Sequence, residues 1–154
     1  MWMMRSGRTR LLLAALLFSA ADAAAQRAPS AAMEIAVLGF ELPPGNDAAL
    51  ARLADRCVSR LIAALAAQKV AAARPAGATL ESLRKSRAAP FAVRGTLSRS
   101  GKQVSAELQL LDVQSSDELR SYMYGPGDED GVVALAEKAA PRMAVAVREA
   151  ASGR

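Results

Sequence analysis

Histidine is absent from all 154 residues, and there is a single cysteine, Cys57. The first absence removes the usual general base, the serine and cysteine triads that depend on it, and most zinc sites. The second rules out an internal disulfide, so the fold must rest on its apolar core. Glycines at the spacing of a phosphate-binding loop are also missing. The stretch EIAVLGFELPPGND has the outline of a strand, a loop and a helix start, but it offers only Gly39 and Gly45. Pro43 and Pro44 remove amide donors there, while Glu41 and Asp47 repel anions. DEDG, Asp128 to Gly131, lacks the alternating oxygen ligands and the closing glutamate of a calcium loop, and reads as a helix start. No catalytic residue, cofactor-binding residue or metal ligand is assigned, and the chain reads as a non-enzyme without a cofactor.

What is present at the start is a compartment signal. Arg5, Arg8 and Arg10 precede an apolar run from Leu11 to about Ala21, and small residues follow. This is the layout of a secretory signal peptide. The expected organisation is a signal peptide over 1–25, cleaved after Ala25 or, as second choice, Ala23, a flexible lead over 26–33, and one domain over 34–151. The apolar run is shorter than the roughly 18–20 residues a bilayer crossing needs, and no later segment comes close. With no cysteine just after that run, no lipid anchor is expected, and the mature protein reads as periplasmic or secreted. The part after Ala25 carries 17 basic and 14 acidic residues, a net of +3. That is ordinary solubility and not a nucleic-acid footprint.

Periodicity then orders the chain. Glu34 to Phe40 reads as a strand apolar on both faces, as in a covered strand. A helix follows from Asn46 or Asp47 to about Gln68, with Leu50, Leu53, Cys57, Val58, Leu61, Ile62 and Leu65 on one stripe. Lys69 to Pro75 is a second strand, and Leu80 to Ser86 is a short helix capped by Thr79. FAVRGTLSRSGKQVSAELQLLDV alternates on both sides of Ser100-Gly101, the pattern of a tight hairpin. A loop at those two residues sets Leu97 opposite Val104, Val93 opposite Leu108, and Arg94 opposite Glu107. Glu118 to Gly125 is a third antiparallel run. A long helix closes the order, with Val132, Leu135, Ala136, Ala139, Met143 and Val147 inward and Pro141 as a kink or a split. The fold class is α/β, order β-α-β-α-β-β-β-α: a mixed sheet of a central strand and an antiparallel three-stranded meander, packed against two long helices.

The strings IAVLGF, LARLADRCVSRLIAALA and FAVRGTLSRSGKQVSAELQLLDVQSSDE, with the alanine-rich closing helix, resemble the amino-terminal α/β domain of TolB and TolB-like proteins. The curli-secretion protein CsgG and FlgO-type flagellar proteins look like relatives. The similarity spans about Ile35 to Glu149. It implies a non-enzymatic cell-envelope domain that binds other proteins, and it transfers no site residue.

The alternation gives a candidate partner surface. With Phe91, Val93, Leu97, Val104, Ala106, Leu108, Leu110 and Met123 turned toward the long helices, Arg94, Glu107, Arg120, Tyr122 and Tyr124 fall together on the opposite face. Two tyrosines beside two arginines on an open sheet match what protein interfaces favour. The expected role is a protein-binding or assembly accessory of the envelope. The rival is a small-ligand binder or enzyme subunit with a pocket near Pro43 to Asn46.

Overall fold

The computed structural model describes residues 34–45 and 47–153. The signal peptide and the lead therefore lie outside the described residues. The elements are β1 (Ile35–Glu41), α1 (Ala48–Ala67), β2 (Ala72–Ala73), α2 (Leu80–Ser86), β3 (Phe91–Ser100), β4 (Gln103–Asp112), β5 (Glu118–Gly127) and α3 (Glu129–Ser152), in the order read from the sequence. They build a five-stranded mixed sheet, β2-β1-β3-β4-β5, with β1 parallel to β2 and β3, and β3, β4 and β5 antiparallel.

Burial explains the layers. α1 starts where the Asp47 carboxylate accepts from the N–H groups of Ala49 and Leu50, at 3.0 and 2.9 Å. Its stripe Leu50, Leu53, Cys57, Val58, Leu61 and Leu65 is buried. α3 is one helix, not two, although Pro141 lies inside it. The missing proline N–H leaves the carbonyl of Glu137 without its intrahelical donor, on the exposed side where water can replace it. Both long helices cover one face of the sheet. Val58, Leu61, Leu65, Ala140 and Met143 meet Ile35, Val37, Phe91, Val93, Leu108 and Leu110 there. On the other face α2 covers one end only, through Leu83 against Ala36, Ala92 and Val113. β2 shrinks to two residues, because Val70 turns back to donate to the Leu65 carbonyl at 3.1 Å and so belongs to the helix end.

The β3–β4 hairpin corrects the expected register. Ser100 pairs with Gln103, so the two-residue loop is Gly101-Lys102. Gly101 holds φ +62° at the first loop position, where a mirror-image hairpin turn calls for glycine. Every pair moves by two residues. Leu97 now faces Ala106, Val93 faces Leu110, and Arg94 faces Gln109 in place of Glu107. A slip of two keeps each side chain on its face, so the buried set of β3 and β4 is the one expected.

Candidate interaction surface

β5 departs further from expectation. Tyr122 pairs with Leu108, Tyr124 with Ala106 and Arg120 with Leu110, all on the helix side of the sheet. Tyr122 packs against the main core and Tyr124 against the cluster around Leu53 and Leu97. Met123, expected under the helices, pairs with Glu107 on the open face and is 78% exposed. The five residues read as one surface are therefore two groups: Arg94 and Glu107 on the open face, and Arg120, Tyr122 and Tyr124 beside α3. Register shifts at Val104/Ala106 and Leu110/Leu111 flank the strand, so alternation counted from either end loses its phase. At an edge strand beside a helix, a tyrosine can pack its ring on the core, a use that hydrophobicity ranking alone misses.

On the open face the polar side chains form a relay. The Nε–H of Arg94 donates to Oε1 of Gln109 at 2.7 Å. The Gln109 amide donates to Oε1 of Glu107 at 2.8 Å. The Ser121 hydroxyl reaches the same oxygen at 2.9 Å. Arg94 and Glu107 thus communicate through Gln109, not as the direct pair expected. The relay spans β3, β4 and β5, and its Glu107 lies opposite Met123, an exposed apolar group beside an ordered polar cluster.

Tyr124 is committed elsewhere. Its hydroxyl donates to Oδ1 of Asp128 at 3.1 Å, and the same oxygen accepts the Gly131 N–H at 2.8 Å to cap α3. DEDG is thus a helix start, and one whose cap is shared with a tyrosine. Loss of hydration and the Asp128 carboxylate both hold the Tyr124 hydroxyl above its usual pKa. Tyr122 lies in a groove between β5 and α3, about 530 Å³ in volume, with Arg120, Arg142 and Val145 among its lining. Burial raises its pKa, and the charges of Arg120 and Arg142 pull the other way. A larger groove of about 630 Å³ runs along the outer side of α1 and α3, past Arg52, Arg56 and Arg60. Near the expected strand-end pocket, Pro43, Pro44 and Gly45 are exposed. The adjacent cleft, between Leu38–Glu41 and Ala78–Leu80, holds about 270 Å³. Among the described residues no cluster of three or more metal-ligating side chains occurs, and no helix is long and apolar enough to cross a membrane.

Neither a protein-family model nor a curated protein sequence matches the chain. Solved structures do. A PelC dodecamer from Paraburkholderia phytofirmans aligns over 70% of this chain and 87% of that one, at 15% identity and a TM-score of 0.51. The likeness is one of fold. Lipoprotein GNA1162 from Neisseria meningitidis aligns over 71% of this chain and 94% of that one, at 17% identity and a TM-score of 0.49. TolB from Acinetobacter baumannii aligns over 79% of this chain but 29% of that one, at 15% identity and a TM-score of 0.45. These likenesses describe the fold, and the residues of the relay and the β5 groove belong to this chain's own description.

Proposed function

We propose that the chain is a non-enzymatic, protein-binding or assembly accessory domain of the bacterial cell envelope. In this reading residues 1–25 are removed on export and residues 34–151 form one periplasmic domain of the TolB amino-terminal type, related to the CsgG and FlgO proteins. The family string from Ile35 to Glu149 supports the compartment and the kind of role, and the PelC likeness supports the fold. The observation that carries protein binding is Met123. It stands 78% exposed on the open sheet face, opposite Glu107 and two residues from Ser121, both members of the Arg94–Gln109–Glu107–Ser121 relay. A flexible thioether beside a pre-ordered polar cluster is the make-up of a docking patch, since the cluster has little rotamer freedom left to lose on binding.

A photo-crosslinking amino acid placed at position 123 in the exported protein tests this. It is expected to give a discrete adduct with an envelope protein, while the same group at Arg52 on α1 gives none. Equal labelling from both positions, or none from 123, rejects the open face as the working surface.

A further inference from the structure

β5 is the terminal strand of the sheet, ten residues from Glu118 to Gly127, and only its β4 side is paired among the described residues. Such an edge presents alternate N–H and C=O groups ready to receive another strand. Next to this edge lie two depressions, of about 530 and 330 Å³, both lined by Ser121, Tyr122 and Arg142. Three cations border them: Arg120, Arg142 and Lys138. The one carboxylate in the lining, Glu149, stands 3.8 Å from Arg120, whose guanidinium also donates to the Leu119 carbonyl at 2.7 Å. Arg142 and Lys138 have no carboxylate within 4.0 Å among the described residues. The hydroxyl of Tyr122, a residue common to both linings, is shielded from solvent and has no hydrogen-bond partner among the described residues. A buried hydroxyl left unsatisfied costs free energy that a ligand acceptor can recover.

We infer that β5 and α3 together form a docking groove for an extended, acidic segment of a partner protein, which adds to the sheet as a sixth strand. Backbone pairing along β5 supplies the hold, and alternate side chains of the incoming strand, about 7 Å apart, turn toward α3. A glutamate or aspartate placed there accepts from the Tyr122 hydroxyl and from the Arg142 guanidinium. Val145, 50% exposed, gives the aliphatic stem an apolar floor. Charge selects the occupant: three cations against one already paired carboxylate favour an acidic strand and oppose a basic one. The inference rests on the reading of this chain as a protein-binding domain, and it centres on the helix side of β5, although Met123 also lines the smaller depression.

The test uses the exported chain and a fluorescein-labelled heptapeptide, Thr-Glu-Thr-Glu-Thr-Glu-Thr, whose glutamates share one side when extended. Binding is followed by fluorescence anisotropy at low salt. The glutamate peptide is expected to bind and a lysine version not to. N-methylation of one of the two alternating sets of amides is expected to abolish binding, and of the other set to leave it. Arg142→Glu is expected to weaken binding at least about tenfold, the loss of one charge-assisted contact, and Tyr122→Phe about fivefold, both with an unchanged melting temperature. Arg94→Ala, which breaks the open-face relay and lines neither depression, is expected to keep the peptide affinity, which separates failure of this groove from failure of the open face. Absence of binding at millimolar peptide, equal binding of the lysine version, indifference to N-methylation, or unchanged affinity in both groove variants overturns the proposal.

Discussion

The ring of Tyr124 occupies the space that a side chain at Gly131 would fill: a Cβ built there falls inside the phenol. Gly131 sits in the first turn of α3, where glycine is usually a cost, and replacing it by alanine commonly gains about 0.5–1 kcal/mol. Here the sign reverses. Gly131→Ala is expected to destabilise by about 1–3 kcal/mol, as overpacking does, because the ring must leave the Asp128 carboxylate to make room. In a Tyr124→Ala background the same change is expected to be neutral or stabilising. Urea denaturation of the four proteins measures this coupling, and simple additivity would show that the ring moves freely.

The tyrosines of β5 are now structural residues with working tips. Replacing Tyr122 and Tyr124 together by serine removes two rings packed on the helix-side core. It is expected to lower stability by about 3–5 kcal/mol and the melting temperature by well over ten degrees. Met123→Asp, on the open face, is expected to stay within about 0.5 kcal/mol of the parent. Thermal melts of both variants decide the orientation of β5, since the opposite assignment exchanges the two outcomes.

Legibility in the sequence followed the physics of each element. α1 and α3 were readable because each buries one stripe at helical spacing, with Asp47 and Asp128 as caps. The faces of β3 and β4 were readable although their register was not, because alternation fixes parity while the choice between Ser100-Gly101 and Gly101-Lys102 fixes pairing. The facing of β5 is not legible from alternation, because two register shifts interrupt its phase and because its inward residues are amphipathic. The split of the candidate surface follows from that alone. Tyr124, Gly127, Asp128 and Gly131 form the one device with a signal that could have been found: an aromatic residue followed by two glycines around a helix cap. The unpartnered Tyr122 hydroxyl depends on α3 lying across β5, a tertiary fact that carries no local signature.

Arg99 joins the two helix starts. Its guanidinium lies 2.7 Å from Glu129 in the first turn of α3 and 3.5 Å from Asp47, the cap of α1, with 27% of its side chain exposed. Arg56 approaches the same glutamate at 3.8 Å. Arg99→Met keeps the stem and removes the charge, leaving two carboxylates near the helix N-termini with less compensation. The expected cost is about 1 kcal/mol, toward the upper end for a half-buried pair, and it shrinks as salt is raised. Denaturation at low and high ionic strength checks both parts, and a salt-independent loss would assign the effect to packing.

Cys57 is buried on α1 among Leu53, Val58 and Leu61, and burial lifts its thiol from about 9.0 to about 11 against the opposing charge of Arg56. The native thiol is therefore expected to resist polar alkylating reagents at pH 8 and to react at the rate of global unfolding. Cys57→Ala is expected to cost on the order of 1 kcal/mol near neutral pH. Above pH 9 the unfolded chain releases the thiol proton while the native chain holds it until about 11, so ionisation favours the unfolded state across that interval. The wild type is expected to lose roughly 1–2 kcal/mol there relative to Cys57→Ala, less than the full shift implies because solvent around Arg56 screens part of it. Every other ionisable group is common to the two proteins, so its contribution cancels in the difference. Urea titrations at pH 8 and pH 10.5 should thus show the gap between the two proteins closing or reversing. A constant gap would mean that the thiol ionises equally in both states, and that the inner stripe of α1 is open to water at Cys57.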